Sequence, residues 1–161
     1  MTDRRRFWAT ASEAEIAEAC RLNGCRLVEP AVMRVTASVA DLFATPQGVR
    51  DRQLLRGQGF IIRAAEDDFG CLWGETEADG YSGWVDGGVL YTHPRDTPTH
   101  RVHAAQTYAK YRPGLKTTDR VTPLSLGSEL VVLDESDGWS RVAWRHVKRP
   151  LDHNVPSIHL T

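Results

Sequence analysis

With 161 residues and 41% hydrophobic content, the chain suits one ordinary domain or two small ones. A net charge of −1 lacks the strongly basic balance that marks a binder of nucleic acid or of anionic membrane. No stretch approaches the roughly 18 consecutive apolar residues of a membrane span.

The small total hides an asymmetry. Residues 35–92 hold nine acidic and four basic side chains, a net of −5, and residues 99–152 hold six acidic and nine basic, a net of +3. Such a split fits two units that attract one another, or two surfaces with different tasks. Cys20, Cys25 and Cys71 are odd in number and lack metal-ligand spacing, so they read as reduced thiols. Arg4, Arg5 and Arg6 resemble the start of a signal peptide. Ser12, Glu13, Glu15 and Glu18 interrupt any apolar run behind them, which gives a cytoplasmic expectation.

In chain order, the first signal is a helix over Glu13–Leu22. Ser12 and Glu15 have the spacing of a capping box, and Asn23-Gly24 supplies the stop. Its apolar stripe, Ile16 and Cys20, is thin, so the helix is expected to lean on a neighbouring unit. Short β segments follow at 33–37, 39–43, 60–62, 71–73, 81–85 and 89–91, with Thr45-Pro46, Asp79-Gly80 and Gly87-Gly88 as turns. Residues 93–98, with Pro94 and Pro98, read as a stiff linker.

Beyond the linker the pattern repeats. Arg34-Val35-Thr36-Ala37 recurs as Arg101-Val102-His103-Ala104, 67 positions on. The stretch from Gly57 through Phe60-Ile61-Ile62 recurs from Gly127 through Leu130-Val131-Val132, 70 positions on. Units of this size with about five strands fit small barrels, which are marginal alone and safer packed together. The expected division is an arm with a helix at 1–30, a first barrel at 31–92, the linker at 93–98, a second barrel at 99–152 and a frayed tail at 153–161. Aligning Trp73 with Ala143 and Leu90 with Leu151 makes the second unit short, as though it lacked a strand.

Three segments together carry a resemblance. They are Val35-Thr36-Ala37-Ser38-Val39-Ala40-Asp41-Leu42, Asp51-Arg52-Gln53-Leu54-Leu55-Arg56-Gly57 and Asp79-Gly80-Tyr81-Ser82-Gly83-Trp84-Val85. In order and spacing they resemble the bacterial SH3 region of NlpC-type cell-wall peptidases, the dipeptidyl-peptidase VI group of γ-D-glutamyl-L-diamino acid endopeptidases. Thr99-His100-Arg101-Val102 and Pro150-Leu151-Asp152 resemble that group as well. The resemblance implies a mainly β fold of two tandem SH3-like barrels with a short N-terminal helix. In that family a papain-like domain follows, with its cysteine in an Asp-Cys-Ser-Gly context. Here the matching segment ends near Asp152, so no catalytic centre is expected. Gln58 stands where the family has an acid, and Ser82 where it has an apolar residue.

The resemblance also implies a ligand site. It points the aromatic at Tyr81 toward the free N-terminal L-Ala end of a muropeptide, where a phenol can cap an ammonium by hydrogen bond and cation–π contact. Asp79 or Asp51 could supply the countercharge, and Trp84 lies on the same strand. The competing reading makes Tyr81 and Trp84 ordinary barrel aromatics. Alternation puts Tyr81, Gly83 and Val85 on one face and Ser82 and Trp84 on the other, so no more than one ring is expected in the core.

Other chemistry has weaker signals. Cys71 precedes Leu72-Trp73 in a strand and reads as a small buried hydrophobe. The six histidines form no metal-binding spacing, so neither metal nor cofactor is expected. Tyr108, Tyr111, Trp139 and Trp144 interleave with Lys110, Arg112 and Arg145, a pattern found in binders of single-stranded nucleic acid. Core or interface packing is the commoner role, and neither nucleic acid nor membrane is an expected partner. The leading expectation is a recognition or targeting module for cell-wall peptides with a free N-terminal amine, or a docking half for a separate peptidase domain. The alternatives are a truncated or decayed piece of such an endopeptidase, and a general protein-interaction scaffold.

Overall fold

A computed structural model describes residues 3–92, 97–144 and 152–161. The fold is mainly β: two SH3-like barrels preceded by a short helical arm. The arm comprises a 3-10 turn at Arg4–Arg6, α1 (Phe7–Thr10) and α2 (Glu13–Leu22). The capping box forms as the sequence requires. The Ser12 hydroxyl accepts from the Glu15 amide at 3.3 Å, and the Glu15 carboxylate accepts from the Ser12 amide at 2.8 Å. Gly24 ends the helix at φ 61°, a conformation that L side chains adopt at a cost.

The first sheet contains β1 (Cys25–Val35), β2 (Val39–Phe43), β3 (Arg50–Leu55), β4 (Gly59–Glu66), β5 (Cys71–Thr76), β6 (Ser82–Asp86) and β7 (Leu90–Tyr91). Their order is β3-β2-β6-β5-β4-β1-β7, with antiparallel pairing at each junction for which a register is resolved. β1 begins at Cys25, so residues 25–30 belong to the sheet and not to the arm. The β1–β4 register slips between Leu27 and Ala31. Pro30 lies in that slip, where a residue without an N–H breaks no ladder bond.

The second unit contains β8 (His100–Arg101), β9 (Gln106–Ala109), β10 (Thr122–Ser125), β11 (Glu129–Leu130), β12 (Val132–Ser136), β13 (Trp139–Val142) and β14 (His153–Pro156). β8 pairs with β11, β9 with β10, and β13 lies between β12 and β14. The expected frayed tail at 153–161 is therefore corrected: β14 is a strand, a 3-10 turn follows at Ser157–His159, and Val155 is fully buried. Its polar look misled because only Val155 of this strand is fully buried, while its neighbours are left half-buried. The missing strand is corrected with it. Leu90 corresponds to Leu160 and not to Leu151, so the interval from Trp73 to Leu90 is matched by that from Ala143 to Leu160.

The two cores then answer each other residue by residue. Leu54, Phe60, Val85 and Leu90 pack with Val35 and Leu42. Leu124, Leu130, Val155 and Leu160, each 70 positions on, pack with Val102 and Val142. The Gly57 amide donates to Val35 at 2.9 Å and the Gly127 amide to Val102 at 2.9 Å, the two glycines at φ 80° and 90°. Residues 93–96 of the expected linker, and Pro150-Leu151, lie outside the described residues.

The barrels meet along a tight seam. The Glu129 amide donates to the Arg56 carbonyl at 2.8 Å, and a Cβ on Gly57 would fall 1.9 Å from the Glu129 carbonyl oxygen. Arg56 itself is buried, with its guanidinium carbon 3.4 Å from the centre of the Trp144 ring. It donates to the Thr36 carbonyl. Burial lowers the Arg56 pKa to about 10, which leaves it charged at neutral pH.

Two outcomes check this architecture. Val155→Ala should lower unfolding stability by about 2 kcal/mol in urea denaturation, because a buried side chain leaves a cavity in the second core. A change within about 0.5 kcal/mol would instead mark residues 153–161 as a loose tail.

Candidate functional site

The site is built on the turn between β5 and β6. Thr76 ends β5, and its amide donates to the Tyr81 carbonyl at 3.0 Å. The Thr76 hydroxyl accepts from the Tyr81 amide at 2.9 Å and donates to Asp79. The Gly80 amide closes the turn on the Thr76 carbonyl at 2.9 Å, with Gly80 at φ 68°. One threonine therefore fixes both Asp79 and the backbone of Tyr81.

Tyr81 is half-buried. Its ring packs against the edge of the first core, and the Arg52 guanidinium lies 5.3 Å from the ring centre. Its hydroxyl makes no hydrogen bond to the described residues. Arg52 reaches from β3 to Asp79 at 2.6 Å. The hydrogen bond from Thr76 and the Arg52 partnership hold the Asp79 carboxyl below its ordinary range. Asp51, next to Arg52 on β3, accepts from Arg4 of the arm. That bond, ahead of all else, raises the Arg4 pKa, and the Tyr81 phenol also acts on Arg4 electrostatically. Tyr81, Asp79 and Asp51 thus share one neighbourhood, and each carboxylate already carries an arginine.

Trp84 is not part of that surface. It is 2% exposed and stacks on Trp73, its direct cross-strand partner, at 5.1 Å and 8° between planes. A ligand role for Trp84 is corrected on this burial. Phe7 stacks on Trp73 from the arm at 4.7 Å, and Trp8 lies 4.6 Å from it. Both faces of β6 are therefore covered, Trp84 by the arm and Val85 by the barrel. Ser82 is buried on the arm side, where its hydroxyl accepts from the Trp8 amide at 3.4 Å, giving its departure from an apolar residue a structural role. Gln58, the other departure, accepts from the Leu55 amide at 2.9 Å and closes its own turn.

Sequence reasoning missed two contributors. Arg4 entered only with Arg5 and Arg6, as a resemblance to the start of a signal peptide, and Arg52 only as a motif residue. A groove of about 430 Å³ opens beside the turn, lined by Arg52, Thr76 and Glu77 from the first barrel and Arg101, Gly127 and Glu129 from the second. It depends on how the barrels dock, and no local signal marks it.

The remaining candidates are placed elsewhere. Cys71 is buried on β5, and burial raises its thiol pKa. Cys20 and Cys25 bring their sulfurs to 2.9 Å, with Cys25 pushed up to about 12 by burial. Lys110 is buried between Tyr108 and Trp139 and donates to the Gly114 carbonyl at 2.6 Å. Arg112 pairs with Asp119 at 2.7 Å, Trp144 lies beneath Arg56, and Arg145 is outside the described residues. Among the described residues no group of three His, Cys, Asp or Glu is placed to hold a metal ion. No helix among them is long and apolar enough to cross a membrane.

Residues 42–88 match the family model of the bacterial dipeptidyl-peptidase SH3 domain. That segment runs from β2 through the turn before β7 and contains Asp51, Asp79, Tyr81 and Trp84. The match is confined to this segment of the first barrel. In fold the chain is similar to a solved NlpC/P60 family protein from Bacillus cereus ATCC 10987, with a TM-score of 0.65 at 14% identity. The superposition covers 81% of this chain and 56% of that one, so the chain spans little more than half of that protein's length. No curated protein matches the sequence significantly.

Asp79→Asn should remove the Arg52 pair and cost at most about 1 kcal/mol, since the pair is partly exposed and screened. The sign with pH follows from the lowered carboxyl. Its stabilisation is complete above the ordinary aspartate range and is lost as pH falls through the depressed value. The stability gap between wild type and Asp79→Asn should therefore be widest near neutrality and close in acid, as followed by urea unfolding across pH.

Proposed function

We propose that this chain, whose first barrel is a bacterial SH3 domain of the dipeptidyl-peptidase type, is a recognition module for cell-wall peptides. In this reading Tyr81 receives the free N-terminal amine of an L-Ala-headed peptide. The observation that carries it is the Tyr81 ring itself: half-buried and backed by the core, with its hydroxyl making no hydrogen bond to the described residues and two carboxylates in its neighbourhood. A fixed ring offers an ammonium its phenolic oxygen, and a π face near which the Arg52 guanidinium already lies. Asp51 or Asp79 supplies the countercharge, and the groove beside Thr76 accommodates the rest of an extended peptide.

Magnitudes make the complex weak. Each exposed ionic contact contributes about 0.2–1 kcal/mol, and both carboxylates are already paired with arginines. Affinity in the millimolar to high micromolar range follows, of the order of 4–6 kcal/mol in total. Such a module acts by presenting the peptide to a peptidase domain supplied by another chain or by further sequence. The share of the Bacillus cereus protein that this chain covers supports that second element of the reading.

The test is chemical-shift mapping with the dipeptide L-Ala-γ-D-Glu and its N-acetylated form. The free dipeptide should shift residues around Tyr81, acetylation should abolish the effect, and Tyr81→Ala should weaken it. Added salt should weaken it too. Equal binding of both forms, or shifts confined to the second barrel, would overturn the amine assignment.

A further inference from the structure

We infer that Arg4 is a built-in competitor for the cation subsite at Asp51, a role that rests on the Tyr81 reading above and adds an intramolecular occupant to it. Arg4 donates to Asp51, so its guanidinium holds a carboxylate on which an incoming ammonium would depend. The Arg4–Arg6 turn packs against β6, the strand that Tyr81 precedes.

Within the arm, Asp3 caps the turn, its carboxylate accepting from the Arg5 amide at 3.0 Å. Two contacts hold the arm on the barrel. Phe7 and Trp8 lie on Trp73. The Trp8 amide meets the hydroxyl of Ser82, the residue directly after Tyr81. Arg4 is only four positions from that anchor, so its guanidinium is present at the subsite at the high effective concentration of a short tether.

Atoms and charges balance without chemistry: the ligand ammonium replaces the Arg4 guanidinium on Asp51, and Arg4 goes to solvent. Because the displaced contact is a partly exposed ion pair, with the Arg4 side chain half in solvent, the suppression is modest. Removing the cation should tighten an amine ligand by about two- to fivefold. Arg52 differs from Arg4 in this respect, since it holds Asp79 together with Thr76 and belongs to the turn.

The experiment is titration of Arg4→Ala, Arg4→Lys and wild type with L-Ala-γ-D-Glu and with N-acetyl-L-Ala-γ-D-Glu, followed by NMR. The expected result is a dissociation constant for the free dipeptide about two- to fivefold lower in Arg4→Ala and near wild type in Arg4→Lys, with the acetylated form unaffected by either. In wild type the Arg4 Nε signal should move as the free dipeptide is added. Unchanged or weaker binding by Arg4→Ala, while Tyr81→Ala still loses the ligand, would remove the competitor and leave the Tyr81 reading standing. An equal gain for the acetylated form would show a general opening of the arm and would likewise overturn the proposal. Absence of binding in wild type and Arg4→Ala alike would overturn both readings together.

Discussion

The stack of Trp73 on Trp84 is the contact on which the arrangement of the first barrel depends. The two rings are direct partners on β5 and β6, nearly parallel, and they point away from the barrel core. On an SH3-like barrel that outer face would meet water. Here Phe7, Trp8 and Cys20 cover it, so β6 is buried on both sides. Aromatic burial on this scale outweighs any single polar contact in the arm, because each ring removes on the order of 150–250 Å² from water. The arm's course over β6, and with it the position of Arg4, follows from this apolar contact. The ion pairs then decorate a path already fixed.

A second constraint joins the two units. Gly57 lets the Glu129 backbone approach to a distance no Cβ would permit, and Arg56 turns its guanidinium onto Trp144. A buried arginine costs free energy unless its donors are met, and the Thr36 carbonyl and the Trp144 face offset part of that cost. The acidic first unit and basic second unit thus meet through a few short-range contacts at this seam. The groove beside Thr76 is a by-product of that docking, with walls from both barrels.

In the proposed reading, the chemistry of the site is an exchange of partners. Asp51 and Asp79 are paired with Arg4 and Arg52 before any ligand arrives, so neither of these two carboxylates is free countercharge. That is why affinity for an amine is expected to be low, and why a residue in the arm can tune it. Completion of the second barrel by β14 also removes the ground on which the sequence had suggested a decayed unit, since the strand taken as missing lies at 153–156.

How much was legible in the sequence depended on the range of the forces involved. The α2 helix was readable because its signals are local: Ser12 and Glu15 lie within one turn, and Gly24 ends it by its own backbone freedom. The internal repeat and the SH3 character were readable because apolar alternation and paired glycines at 57 and 127 recur at a constant spacing. Tyr81 could be singled out from its motif, and alternation alone put it on the opposite face from Trp84. What alternation could not supply was that both faces of β6 would be buried. That required an arm some 70 residues away in sequence to settle on Trp73 and Trp84. Likewise β14 looked like a polar tail until β13 gave it a partner and Val155 a core, and Arg4 resembled the start of a signal peptide until the fold brought it to Asp51. Local backbone preferences are written in neighbouring residues, whereas burial and ion pairing depend on which distant segments come together, and that was decided by the tertiary structure.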